Sequence, residues 1–321
     1  MFIKPRLRLV PDNTRIRFMR VRYTGLIISA VLSTLSVMLF FYPGLNLGID
    51  FSGGVVMEVR TDGPANFSQI HAALTEAGIP DQGVQRFGDP SEVLIRLGAE
   101  PSEQATQAAV TKVRAALEKG VPGTKIERTD AVGASVSAEL FRNGLLALGV
   151  SLLMILVYIW FRFEWQFAVG AVVTLVLDVT KTIGFLALTR IEFDLVMVAA
   201  ILTILGYSTN DKVVVYDRVR ENLRKYKSMP LRELIDLSSN ETLNRTIGTS
   251  MTVFLASLPL ALFGGASISG FAWVMLFGIF VGTTSSIGIA APILLFLGEH
   301  RLRREAAAPV AARATSAVPP R

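Results

Sequence analysis

The stretch AILTILGYSTNDKVVVYDRVREN, residues 200–222, sets Asn210, Asp211 and Lys212 side by side between an apolar run and the further apolar residues Val213, Val214 and Val215. A second acid and base, Asp178 and Lys181, interrupt the otherwise apolar stretch from Trp165 to Leu188. They are three residues apart and so share one face of a helix. A charged side chain at the centre of a membrane helix costs about 2.5 to 3.5 kcal/mol on insertion scales, and survives only where it faces protein or a water-filled cavity. Burial favours the neutral carboxylic acid and a nearby cation favours the carboxylate, so a carboxyl under both influences can exchange a proton near neutral pH. The chemistry these residue types offer is proton exchange inside a membrane. Val213 to Tyr216 add another apolar turn beyond Asp211, which places the acid below the interface; the alternative is a helix that runs out into water, since Asp217, Arg218 and Arg220 follow. Lys212 lies about 100° round the helix from Asp211 and does not pair with it directly. It either snorkels to the interface or finds Asp178 on the preceding span, and Asp178, Lys181 and Lys212 then form an intramembrane charge cluster.

The elements that must hold these residues are membrane spans. The 321 residues are 51% hydrophobic and only 18% charged, with a mean hydropathy of +0.48, too apolar for a soluble chain of this size. Six windows reach the length needed to cross a bilayer: 25–42, 144–161, 165–188, 195–216, 246–263 and 271–298. The first is read as a retained span, because it is too long for a signal peptide and no small-x-small site follows it. The basic arm, residues 1–24, carries Lys4, Arg6, Arg8, Arg15, Arg17, Arg20 and Arg22 against Asp12 alone, and the positive-inside rule keeps it in the cytoplasm. Six spans from that start also put Arg162, the loop 217–245 and the tail 299–321 inside. The tail is expected to be disordered. The net charge of +6 is then mostly a topology signal, part of it available to anionic lipid; no nucleic-acid partner is expected, since no aromatic platform or recognition motif accompanies the arginines.

One segment, 43–141, is soluble and lies on the outer side. Its 8 basic and 13 acidic residues give −5, opposite in sign to the whole chain. Alternation in GGVVMEVRT reads as a strand, SQIHAALTEAG as a helix stopped at Gly78, VQRFG and EVLIRLG as a hairpin across Asp89–Pro90, SEQATQAAVTKVRAALEKG as a second helix and TKIERTDAV as a last strand. The order β-α-β-β-α-β is the split βαβ pattern of ferredoxin-like domains, which implies no chemistry by itself. The chain has no cysteine and only two histidines, His71 and His300, so neither a disulfide nor a histidine metal site is expected.

GLNLGIDFSGG after the first span, VGASVSAEL before the second, IEFDL followed by AAILTILGYSTNDKVVVYDRVREN through the fourth, and NETLNRTIGTSMT into the fifth together resemble the SecF side of the SecDF family of protein-export membrane proteins, within the resistance-nodulation-division superfamily. The resemblance runs from about Gly44 to Leu297. It implies a bacterial inner-membrane protein with both termini cytoplasmic, a SecD-like six-span partner and assistance to the SecYEG channel. It implies as well that the outer domains capture the translocating polypeptide and that the proton-motive force drives them. By the same resemblance Asp211 of the Asn-Asp motif is the protonatable residue, with Asn210 beside it, and Arg245 supports proton passage. Four positions depart from the family pattern: Lys212 and Lys181 stand where uncharged residues are usual, and Ala134 and Ser137 replace a proline and a glycine.

No cofactor, nucleotide or metal site is expected, and no enzymatic activity. GIDFSGG needs Gly53 and Gly54 for backbone freedom, with Asp50 capping or orienting that turn; Gly278 and Gly282 are spaced for close helix packing; GGASISG, residues 264–270, lacks the Lys-Ser or Lys-Thr of a phosphate cradle. The alternative function is half of a proton-coupled exporter of lipids or small molecules, against which the outer domain of about 100 residues is small. A third class, an intramembrane protease using Asp178 and Asp211 as a dyad, lacks a Gly-x-Gly-Asp motif at either acid.

Overall fold

Charged side chains cease after Arg22 and a proline follows at 43, and between them α1, Arg22–Phe41, is the first of six helices long and apolar enough to cross a membrane. The others are Ala134–Arg162, Trp165–Thr189, Leu195–Lys225, Leu231–Phe263 and Ile268–Phe296, making this a multi-pass membrane protein. The computed structural model describes residues 11, 14–79, 83–100 and 102–297. Lys4, Arg6, Arg8, Asp12 and the tail 299–321 lie outside the described residues.

Between the first and second spans the chain builds a small α+β domain. A two-residue strand β1, Asn46–Leu47, and a one-turn helix α2, Ile49–Ser52, lead to Gly53 at φ 69° and Gly54 at φ 114°. A Cβ on Gly54 would strike the Leu97 carbonyl oxygen, so the second glycine is needed for space as well as for its backbone angle. There follow β2 (Gly54–Arg60), α3 (Phe67–Glu76), β3 (Val84–Arg86), β4 (Glu92–Leu97), α4 (Glu103–Gly120) and β5 (Lys125–Val132). The sheet order is β3-β4-β2-β5 with every neighbouring pair antiparallel. Along β2, Val55, Met57 and Val59 point inward, where they meet Ile70 and Leu74 of α3 and Val113 and Leu117 of α4. Asn66 and Ser102 cap the two helices, each accepting a backbone N–H of the first turn.

The membrane helices are α5 (Ala134–Arg162), α6 (Trp165–Thr189), α7 (Leu195–Lys225) after the two-residue strand β6 (Glu192–Phe193), α8 (Leu231–Phe263), and α9 (Gly265–Ser285), which passes through a π-helical segment, Ser286–Ala290, into α10 (Ala291–Phe296). The third, fourth and sixth spans are about half buried, whereas the first, second and fifth turn most of their surface outward. The polar residues of spans three and four therefore lie at the centre of the bundle. Gly278 and Gly282 give the sixth span its approach to the fourth: a Cβ on Gly278 would run into Ile204, and one on Gly282 would lie 3.1 Å from Ser208.

Three helices reach past the apolar windows in which they are centred. The second span begins at Ala134, and the loop expected over 217–245 is helical on both sides of a short turn at 226–230. The reason is amphipathicity. Val219, Leu223, Leu231, Leu234 and Ile235 bury one face, and Arg218 bonded to Glu241 (2.7 Å), with Asn222 bonded to Ser238 (3.0 Å), zips the polar continuations together.

At the other end of the bundle β1 pairs in parallel with β6. Asn46 Nδ2 donates to the Arg190 carbonyl (3.0 Å), Arg190 donates to the Gly44 carbonyl (2.8 Å), Arg96 pairs with Glu192 (2.6 Å), and the backbone N–H of Leu195 donates to Asp50 (3.0 Å). Asp50 thus holds the start of α7. The domain is rooted on the linker between the third and fourth spans.

Candidate functional site

Asp178 is 1% exposed in the third span. Lys212 of the fourth span, 0% exposed, turns inward and donates to Asp178 Oδ2 at 2.9 Å. The snorkelling outcome is thereby replaced by the partner on the preceding span: a bare ammonium would otherwise be stranded among packed apolar groups, and the acid offers it a charge-assisted bond. Ser208 (2.8 Å) and Ser285 (2.7 Å) donate to the same oxygen, and Lys212 also bonds the hydroxyls of Ser208 and Ser285. Lys181, 5% exposed, stands 3.8 Å from Asp178 Oδ1, within ion-pair range and beyond a hydrogen bond. Asp178, Lys181 and Lys212 are brought together, and Asp178 is clamped between two cations.

Asp211 is dressed differently. It is 4% exposed, packed among the helices of the bundle. Its Oδ1 accepts from Thr246 Oγ1 of the fifth span at 2.6 Å, and its Oδ2 accepts from Ser286 Oγ of the sixth. Both partners are hydroxyls. A hydroxyl donates to a carboxylate and accepts from a carboxylic acid equally well, so the same two contacts serve either protonation state. The two acids share no hydrogen-bond partner among the described residues, which is not the geometry of a proteolytic dyad. They are nonetheless served by consecutive residues, Ser285 and Ser286, where α9 gives way to the π-helical turn. Such π-turns recur at functional sites because the extra residue re-aims the side chains around it.

Asn210 and Arg245 are not drawn into this site. Both are exposed on the surface of this chain, and it is Thr246, the residue after Arg245, that reaches Asp211. Beside Asp211 a row of hydroxyls continues from Thr283 through Ser250 (2.7 Å) to Tyr207 (2.6 Å).

Residues 112–300 match the family described as protein export membrane protein SecD/SecF, C-terminal, and residues 39–65 match the SecD/SecF GG motif. The chain belongs to the SecD/SecF family. A protein translocase subunit SecF of Rickettsia felis is 41% identical over 93% of this chain and 97% of its own length. A protein translocase subunit SecDF of Brucella abortus is 46% identical over 92% of this chain but only 39% of its own length. The crystal structure of SecDF from Thermus thermophilus, described as a translocon-associated membrane protein, superposes with a TM-score of 0.81 at 32% identity, covering 92% of this chain and 40% of that one. This chain thus spans about two fifths of the SecDF chains and nearly all of the SecF chains to which it is similar. The GG motif of the SecD/SecF family coincides with the Gly53–Gly54 turn at the domain root.

The residues that sequence reasoning missed are Ser208, Thr246, Ser285 and Ser286. Their signal was present as the small polar runs GYST at 206–209 and TTSS at 283–286 inside otherwise apolar spans.

Proposed function

We propose that this chain is a SecF-like subunit that uses the proton-motive force to assist protein translocation through the Sec channel, as one half of an assembly with a SecD-like six-span partner. In this reading it sits in the bacterial inner membrane with both termini in the cytoplasm. The α+β domain, ferredoxin-like by its strand order, lies on the outer side, where it meets polypeptide emerging from SecYEG. The role is one of transport, with no enzymatic step. Asp211 carries the proton.

The observation that carries the reading is the contrast between the two buried acids. Asp178 lies between two ammonium groups, Lys212 at 2.9 Å and Lys181 at 3.8 Å. Asp211, held by hydroxyls alone, keeps its contacts whether or not it is protonated. Protonating Asp211 removes one negative charge from the buried group that also contains Asp178, Lys181 and Lys212. Loading and unloading a proton therefore changes the net charge of a buried cluster, and such a change can favour one packing of the spans over another. Asn210 and Arg245 fit the reading by their position: both lie on the surface of this chain, and the outward apolar faces of the first, second and fifth spans leave room for six further spans to cover them.

Asp211→Asn tests it. The amide keeps one acceptor and gains a donor, so the bundle should assemble at normal abundance while gradient-dependent stimulation of preprotein translocation into inverted membrane vesicles is lost. Full stimulation at normal abundance would remove Asp211 from the role.

A further inference from the structure

On the membrane face opposite the α+β domain, the segment before the first span crosses the early turns of α8 as a pinned strap. The Ile16 N–H donates to Asn240 Oδ1 (2.9 Å), Asn240 Nδ2 donates back to the Ile16 carbonyl (2.8 Å), and the Met19 N–H donates to Asp236 Oδ1 (2.8 Å). Met19 is fully buried and anchors the turn Phe18–Arg20. The strap and α8 line an open cavity of about 860 Å³ whose wall carries Arg15, Arg17, Arg20 and Arg232 together with Glu233 and Asp236. Among the described residues four guanidiniums line the site with two carboxylates, and Asp236 already spends one oxygen on the Met19 N–H. Among the described residues the lining thus carries two more positive than negative side chains, on backbone that the strap contacts hold in place.

We infer that this cavity binds the phosphodiester headgroup of an anionic membrane lipid. Guanidinium groups present paired N–H donors that match phosphate oxygens, and basic pockets beside membrane helices on one face of the bilayer recognise acidic headgroups in this way. What commits the site to lipid is its depth and its rim. The first span starts at Arg22, immediately after the strap. Ile16 in the cavity wall and Val21 and Tyr23 near it in sequence are exposed apolar groups, an apolar rim suited to the acyl chains of a lipid whose headgroup the arginines hold.

The test uses the full chain, purified in detergent, stripped of lipid and titrated with phosphatidylglycerol or phosphatidylcholine under native mass spectrometry. Wild type should bind phosphatidylglycerol preferentially. Each arginine lost from Arg15→Gln, Arg17→Gln, Arg20→Gln and Arg232→Gln should weaken that preference about fivefold, the equivalent of about 1 kcal/mol per basic residue. Asn240→Ala leaves every charge in place and releases the strap, and it too should reduce the preference; intrinsic tryptophan fluorescence on heating checks that it remains folded. A loss in the arginine variants with none in Asn240→Ala would reduce the site to diffuse attraction and overturn the built cavity. Full competition by millimolar inorganic phosphate would assign it to a free anion. An unchanged lipid preference in all variants, with loss of co-purifying membrane partners instead, would assign the face to a protein.

Discussion

Replacing Lys212 by methionine should be among the most damaging single changes this bundle can suffer. Its ammonium and the Asp178 carboxylate are 0% and 1% exposed and 2.9 Å apart, and removing one member of such a buried pair costs about 3 to 5 kcal/mol, because the other charge is left in a poor solvent. Against the roughly 5 to 15 kcal/mol that holds a typical domain together, that is a large share. Lys181 is also an ion-pair partner of Asp178, but at 3.8 Å it makes no hydrogen bond to it. Lys181→Met should therefore be milder by roughly the value of a charge-assisted hydrogen bond, about 1.5 to 3 kcal/mol. Asp178→Asn should exceed Lys212→Met in damage, since it strands two cations at once, and the double variant Asp178→Asn with Lys212→Met should recover only the part owed to Lys212, because Lys181 stays buried without its acid. Membrane abundance and thermal unfolding followed by tryptophan fluorescence, in the same detergent for all four, give the order. If Lys181→Met proves as damaging as Lys212→Met, or the double variant shows the sum of its parts, the clamp is wrongly assigned.

The absence of cysteine allows topology to be read directly: single cysteines at Ser68 and Ser102 should react with an impermeant maleimide from outside, and one at Ser228 only after permeabilisation, whereas reversed labelling would overturn the orientation. Arg245→Ala should leave stability nearly unchanged, because the side chain is exposed on this chain, yet reduce gradient-dependent export in the presence of the partner; a large stability loss in the isolated chain would contradict the outward placement. Asp194, which caps α7 by accepting the Met197 N–H at 2.8 Å, has its pKa raised above 3.8 by burial, which outweighs that bond. The folded state then holds this proton more tightly than the unfolded one, so the stability contributed by Asp194 is greatest in acid and is lost as pH climbs from about 3.8 through the raised folded value. Asp194→Asn keeps a good cap without the ionisation, so its melting temperature should gain on wild type across that climb; a difference independent of pH would refute the assignment.

Much of this architecture can be read before any coordinates. The spans are legible because long uncharged runs have few other uses, and the domain strands and helices because β2 alternates cleanly and Gly78 and Gly120 stop the two helices. Helix ends were harder. Residues 217–225 and 231–245 are polar by composition, and only their partners across the turn make them helical. The acids and lysines stood out by their cost, but the hydroxyls that serve them did not, since Ser and Thr in a membrane helix ordinarily bond the carbonyl one turn back, as Thr174, Thr182 and Thr209 do here. Whether Lys212 would turn inward depended on how closely the spans pack, set in part by Gly278 and Gly282 and invisible in one helix alone. Arg245 is reached only through family resemblance, and its side chain is exposed on this chain.

The short ladder between Asn46–Leu47 and Glu192–Phe193 has a mechanical consequence. A domain hung from two flexible tethers would absorb small movements of the helices beneath it as slack. This one is bolted through strand pairing, the Arg96–Glu192 pair and the Asp50 contact to the crest of the hairpin that carries both buried acids on its two legs. Any tilt of that hairpin would carry the domain mounted above it, with the throw growing in proportion to height. How much of any helix movement would reach the far edge of the domain is then set by the stiffness of this short ladder and the two side-chain contacts beside it.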